Sequence, residues 1–574
     1  KFTTGTTTTE IEVNLEYLSA TMVGVELFSA CGAGNAIVGT CVSDGGAATP
    51  MTFTVTPSTT YRLRVFTNYD TQNPGTYKLC VQKKPSPPVN DDICGAIDLP
   101  IYQTLPVMTS GTNFYATQSP QAAMSCGSHA RDVWYKVTVP ATGSVTINAS
   151  AGTFTDMIMS AYTAVGNVCS GALTSVGCDD DRGPGDISWL QVNNLTPGSI
   201  LFIRVAGFGT FPSSLMKGTF NIGITEGLVW TGAASTDWGT IADSESGFPS
   251  NWYAYDGGSF GPNILNNANI SVLCRTNVAN QPQVSGTVDV KNVRFAGTLF
   301  NTGGVEVLAA GQLQIGGSVS VSGGVIPRFT GAGTTRFHST VATTHNIFSN
   351  ARYYGNVTVA PTSTVAANGK MLFENGASLF ADSPASTYGS VTGNIVYRRQ
   401  GNPASYAYNY WASPVAGATI ASISSAGASA NTYYYNPAAA TGPAYAQNQL
   451  GWIPASIATN MLPTVGYIAT AANLATFTGV PNQNATYAHT AVAGGVNFNL
   501  MGNPFPAPMS AATFLAQNSA RIQGGVIYIY DSPSTPTYAN SDYIVSNGVI
   551  TVNGPNSGLP FSGNIAACQA FFVN

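Results

Sequence analysis

Between Val288 and Val321 the apolar residues come in pairs two positions apart: Val288/Val290, Val293/Phe295, Val305/Val307, Leu313/Ile315 and Val319/Val321. Gly and Ser interrupt them every six to eight residues. A spacing of two is the strand period, and a strand this short offers a single face to a core. One such strand cannot enclose anything. Three faces wound into a coil of about 20 residues, and coils stacked on one another, would make a β-solenoid. A simple antiparallel meander is the competing arrangement, because Gly-rich turns allow it.

The rest of the 574-residue chain is also strand-prone. Helix formers such as Lys, Glu and Leu are scarce, while Thr, Val and Tyr are plentiful. Only 8% of residues are charged, against about 25% in an ordinary domain. The apolar fraction, 44%, is too high for a disordered chain. A net charge of -5 gives no basic field for nucleic acid or anionic lipid. No stretch approaches the roughly 18 apolar residues of a membrane helix. The chain starts at Lys1 and ends in Ala570-Phe571-Phe572-Val573, which reads as the ordered part of a longer processed polypeptide. The fold class is all-β: tandem jelly-roll-like sandwiches, a solenoid-like Gly/Thr-rich region and a C-terminal sandwich.

Residues 1–84 and 85–227 read as two copies of one sandwich. Tyr61-Arg62-Leu63-Arg64-Val65-Phe66 matches Leu201-Phe202-Ile203-Arg204-Val205-Ala206, and Gly75-Thr76-Tyr77 matches Gly218-Thr219-Phe220. The first copy is truncated and lacks the counterpart of Asn90 to Val139. It would expose an edge for a strand from outside to cover. Lys83-Lys84-Pro85-Ser86-Pro87-Pro88 is a stiff linker. The solenoid-like region spans 228–381. Residues 382–574 form an aromatic sandwich, and from 400 onward only Arg521, Asp531 and Asp542 carry charge. So little charge suggests surface covered by neighbours or built to adhere. Ala507 to Asn518 is the one plausible helix.

Nine cysteines contain no C-x-x-C pair, which argues against zinc. The repeated spacing of Cys31/Cys41 and Cys169/Cys178 suggests two bridged hairpins, with Cys94 then pairing Cys126. Such bridges imply an oxidising, extracellular compartment. Buried thiols are the alternative. Cys80, Cys274 and Cys568 stay unassigned.

Several strings resemble secreted multidomain surface proteins of the Bacteroidota exported by type IX secretion. Asn90-Asp91-Asp92-Ile93-Cys94-Gly95-Ala96-Ile97 and Asp132-Val133-Trp134-Tyr135 resemble a module similar to the pre-peptidase C-terminal domain. Trp230-Thr231-Gly232 through Trp238, then Asn280-Gln281-Pro282, resemble the entry to the repeat region of such adhesins. Tyr410-Trp411-Ala412-Ser413-Pro414-Val415, Met501-Gly502-Asn503-Pro504-Phe505-Pro506 and Gln569-Ala570-Phe571-Phe572-Val573 resemble the sandwich that precedes a sorting domain. Cys568 stands where that pattern has Gly, which points to an extra or intermolecular bridge. The resemblance implies a location and an architecture, not a reaction.

No nucleophile elbow, zinc helix or phosphate loop occurs. The four histidines, His129, His338, His345 and His489, are scattered, and paired acids for glycoside hydrolysis are missing. Asp179-Asp180-Asp181, with Asp186 close behind, is the one acidic cluster, and calcium takes the six to eight oxygens such a loop can help supply. A solvated turn is the alternative. Tyr433-Tyr434-Tyr435 points at least one ring away from the others, as a glycan contact or an ordinary surface Tyr. The expected function is a non-catalytic extracellular adhesin or fibre subunit whose partners are copies of itself, other surface proteins and glycans. The competing expectation is the carbohydrate-binding and spacer part of a secreted hydrolase. A hydrolase hidden in 228–380 is a third.

Overall fold

The computed structural model describes residues 1–17, 23–31, 37, 42–43, 51–67, 76–102, 108–181, 183, 186–209, 217–239, 251–252, 267–297, 303–322, 324–381, 389–402, 408–424, 431–440, 450–470, 474–484, 486–493, 497–531, 543–553 and 561–574. About half the chain is strand and about 5% helix, as the composition predicts. Among the described residues no helix is long and apolar enough to cross a membrane.

Residues 1–84 and the sandwich that follows share a strand order. In residues 1–84 one sheet runs Val42–Ser43, Val23–Phe28, Thr60–Thr67, Phe2–Thr3, and the other Met51–Thr54, Glu10–Tyr17, Tyr77–Lys83. In the second sandwich the first order recurs as Leu173–Asp179, Met157–Ala164, Ile200–Phe208, His129–Thr138, with Ile97–Asp98 added. The second order recurs as Leu190–Val192, Val145–Ala151, Thr219–Thr225, with Thr109–Thr112 added. Alternate residues such as Val133, Tyr135, Ile147, Ile203 and Ile222 fill its core.

Met157–Ala164 is buried on almost every residue, not on alternate ones. The cause is cover on the outer face of its sheet: Ile93 and Ala96 pack with Tyr162 and Ala164, and the segment 113–126 lies over the other end, with Met124 against Ile158. Arg204 and Asp132 lie under it as an ion pair of 2.8 Å with both side chains fully buried. Asp132 accepts from the Ser119 amide (2.9 Å), and Arg204 donates to the Ala122 carbonyl (2.8 Å). Arg204 also lies over the Trp134 ring, whose Nε1 donates to Ser119 Oγ. An ion pair so placed fixes the covering segment while leaving neither charge bare.

The disulfides join Cys94 to Cys169 and Cys126 to Cys178, which corrects the hairpin pairing read from spacing. In the hairpin, Cys178 stands opposite Ser160, near the far end of Leu173–Asp179. Cys169 lies beyond the other end, and five extended residues span about 17 Å. Bridged Cα atoms here are 5.1 and 5.7 Å apart. Each cysteine therefore reaches a partner in residues 94–126, where the second sandwich exceeds the first. Cys41 lies outside the described residues, so a Cys31–Cys41 bridge is not described. Cys568 is fully buried, without a bridge, and has φ +60°, the left-handed region that suits glycine. That backbone geometry explains the Gly of the resembling pattern, and burial corrects the expected intermolecular bridge.

From Leu228 the pairing turns parallel, which excludes the meander. One face stacks Thr287–Ala296, Gln312–Ile315, Thr334–Phe337, Asn356–Val359 and Ser378–Ala381. The register Gln312↔Thr334, Thr334↔Asn356, Asn356↔Ser378 advances 22 residues per coil (334 − 312, 356 − 334, 378 − 356). A second face stacks Gly304–Val307, Arg328–Thr330, Ala351–Tyr353, Met371–Phe373 and Ile395–Gln400, and a third Thr343–Asn346, Ser363–Ala366 and Ser390–Thr392. The solenoid has about five turns. In-register parallel strands lay like positions over one another, so Phe329, Tyr353, Phe373 and Tyr397 form a ring column with centroids 4.9, 5.4 and 5.8 Å apart. Gly311, Gly333 and Gly355 recur at the same 22-residue step, and a Cβ on Gly333 would meet backbone oxygens of Leu308 and Gly311 at 2.2 and 2.6 Å. Trp230, Trp238 and Trp252 close the first coil as a buried trio.

The second face continues across residue 381: Ile395–Gln400 pairs antiparallel with Leu474–Pro481. Beyond it lie a four-strand sheet (Tyr408–Trp411, Tyr467–Thr470, Thr432–Ala440, Leu450–Pro454) and a five-strand sheet containing Asn499–Gly502, Ala570–Val573, Ile527–Tyr530 and Tyr543–Ser546. The helix is Ala511–Gln517, capped by Ser510, whose side chain accepts from the Thr513 amide (3.2 Å).

Candidate metal centre

The acidic cluster forms where the central hairpin of the second sandwich opens. Asp179 ends the strand Leu173–Asp179 opposite Met159, so the chain after it runs beside the residues before Met157. That pairing brings Asp156 to Asp180 and Asp181, and one carboxylate oxygen from each lies within 4.8 Å of the others. Asp156 has no signal in its own sequence neighbourhood. The hairpin register supplies one, because pairing Met159 with Asp179 carries Asp156 toward Asp181.

Asp179 does something different. Its side chain is buried and accepts from the Trp189 amide at 2.9 Å, while the Trp189 indole donates to Asn148 Oδ1 at 3.1 Å. Trp189 packs into the same core as the solenoid residues Leu228 and Val272, so Asp179 helps seat the sandwich on the solenoid. Glu226 and Arg294 pair across that junction, and Thr142 donates to Glu226 (2.8 Å). Asp186 is exposed, has φ +55° and offers its carbonyl to the Met157 amide (3.0 Å). It stands outside the group of three, yet its charge reaches it. Arg182 lies outside the described residues.

Burial raises the Asp180 carboxyl to about 6, aided by the charges of Asp181, Asp156, Asp179 and Asp186. Burial and the charges of Asp181 and Asp186 also raise Asp156. Asp156 Oδ1 and Asp180 Oδ1 are buried and find no hydrogen-bond partner among the described residues. Such a set suits a hard cation bound by oxygen. Asp156, Asp180 and Asp181 could supply the charged ligands, with Asp186 beside them.

The histidines are used elsewhere. His338 Nε2 meets Asp289 at 2.9 Å, His345 Nδ1 meets the Gly317 carbonyl at 2.9 Å, and His489 Nδ1 meets Thr464 Oγ1 at 3.3 Å. Among the described residues the three aspartates are the only group of three metal-type ligands.

Two family models match the chain. Residues 89–221, which hold both disulfides and the acidic group, match a galactose-binding-domain-like family associated with type IX secretion. Residues 332–574 match a domain of unknown function, DUF8693. No curated protein matches the chain. The chain is thus related to the type IX secretion system, and a secretion-associated sandwich closed by two disulfides marks a secreted, extracellular protein.

Proposed function

We propose that the chain is a non-catalytic surface protein: an adhesin whose solenoid carries the sandwiches as spaced binding modules. The observation that carries this reading is the galactose-binding-like match over 89–221, on a sandwich seated against the solenoid through Trp189. Function then rests on presenting a surface, and calcium at Asp156, Asp180 and Asp181 would stiffen the presented end.

The test uses the full chain on beads, applied to polysaccharide-coated surfaces with calcium or a chelator. Retention of the beads, and antibody labelling of intact cells, are the expected results. Regular filaments from the pure protein would favour the fibre-subunit form of the reading. Turnover of a polysaccharide by this chain alone would overturn it. A second reading, the accessory region of a secreted hydrolase, draws on the same match. A catalytic domain encoded in the same gene would select it.

A further inference from the structure

The C-terminal region holds a second surface with a chemistry of its own. Its two sheets meet edge to edge through the backbone bridges Trp411↔Gln569 and Val465↔Met501. One side of each sheet is spent on a core. Trp411, Tyr467 and Ala469 join the solenoid core, while Ile527, Ile529, Phe571 and Val573 pack under the helix with Ala511 and Leu515. Strand alternation sends the intervening residues to the other side. Most of these are aromatic, with Ile468, Leu500 and Ala570 among them, and rings of one sheet touch rings of the other. Tyr435 lies 5.1 Å from Phe572, and Tyr410 stacks on Tyr530 at 4.6 Å. The two faces therefore turn toward one another, and the rings line the inside of the angle.

The cleft is graded. Its floor is buried and apolar: Ile468, Leu500, Ala570 and Phe572. Its walls are half-buried rings, including Tyr408, Tyr433, Tyr435, Trp452, Tyr528 and Tyr543. The rings hold one another edge-to-face, as Tyr435 and Trp452 do at 5.1 Å, so their orientation is set before any ligand arrives. Most end in a hydroxyl, and Tyr410 and Tyr543 are joined by one such contact of 2.8 Å. Charge is nearly absent, with three charged side chains in residues 400–574. The closest upstream arginines are committed elsewhere: Arg398 to Glu374, and Arg399 to the Ala567 carbonyl and the Trp411 ring.

We propose that this cleft binds a neutral carbohydrate chain, with sugar rings stacked on the tyrosine and tryptophan faces. A sugar has an apolar C–H face and a hydroxyl rim, which matches a ring face bordered by phenol hydroxyls. An acidic glycan or a nucleic acid would need cations that this region does not offer. The site is separate from the sandwich of residues 89–221 and does not depend on its role.

Trp452 reports on the cleft alone. The other six tryptophans, Trp134, Trp189, Trp230, Trp238, Trp252 and Trp411, are buried. The full chain is titrated with dextran, laminarin, galactomannan and xylan, and with alginate and heparin as charged controls. A saturable change in tryptophan emission and protection from iodide quenching are expected with at least one neutral polymer and neither charged one. Trp452→Ala should weaken that binding roughly tenfold, which corresponds to about 1.4 kcal/mol of stacking. Trp452→Phe, which keeps a ring, should retain most of it and serves if the alanine variant does not fold. The proposal falls if no neutral polymer alters Trp452, or if binding occurs with Trp452 emission unmoved. It also falls if the rings prove to hold a second copy of the chain, seen as a dimer that Trp452→Ala dissociates.

Discussion

In the sandwich of residues 85–227 the sheet face turned away from the core carries Arg204, Asp132 and the bridge Cys126–Cys178. In the C-terminal region the corresponding faces carry rings. The first face is covered by its own chain, so charges buried there must be paired and the cover must be tied down. The second is left half open, and rings that pack on one another keep their order without covalent help. The difference teaches that a helix-poor chain has two ways to finish the second side of a sheet. One consumes that side as structure, and the other leaves it as surface.

Removing one partner of the buried ion pair should separate the regions most strongly. Arg204→Met leaves Asp132 charged and buried, and should destabilise the sandwich by about 3–5 kcal/mol. Hydrogen exchange should show the loss in Met157–Ala164 and Ile200–Phe208, with the C-terminal strands unchanged. If both regions soften together, they fold as one unit and the contrast is wrong. Replacing Cys126 and Cys178 with serine frees a 52-residue separation and should cost about 4 kcal/mol by chain entropy. A reducing agent should likewise lower the sandwich transition alone in calorimetry.

The converse change is Phe572→Ala, which empties the floor of the aromatic angle at a position only 8% exposed. It should cost about 3 kcal/mol, confined to the C-terminal transition and insensitive to reductant. The smallest effect concerns the acidic group. Asp180 has its folded pKa raised to about 6, above the unfolded carboxylate range. The native state therefore holds the proton more tightly, and the stability this adds at low pH is lost as pH rises through about 6. Without calcium the sandwich should melt higher at pH 5 than at pH 7, by about 2 °C given the partial exposure. Asp180→Asn should shrink the difference to the part that Asp156, also raised by burial, contributes, and calcium should restore stability at pH 7 only while Asp156 and Asp181 are intact.

Much of the architecture was legible, for reasons that can be named. The paired valines from Val288 onward carry the strand period, and the matched Arg64 and Arg204 segments carry the repeat. The solenoid step was readable to within two residues, because Gly and Ser break the strands every six to eight residues and three such faces make a coil of about 20. The disulfide pairing was not legible. Spacing along the chain records only local distance, and the partners Cys94 and Cys126 lie in residues 94–126, whose path over the sheet no spacing records. Asp156 was hidden likewise, because it joins Asp180 through strand register. The aromatic cleft was half visible. Tyr433-Tyr434-Tyr435 announced rings on both sides of a strand, but the second sheet that turns its rings to meet them comes from residues 498–572.

The 22-residue step has a consequence for length. Each coil adds one strand spacing, about 4.8 Å, to the solenoid. Deleting or duplicating residues 334–355 would shorten or extend the molecule by that fixed increment while every ring in the column and every corner glycine finds an equivalent neighbour. The solenoid is thus a ruler with evenly cut marks. Gene duplication could set the distance between the bridged sandwich and the aromatic cleft in whole steps, without redesigning either end.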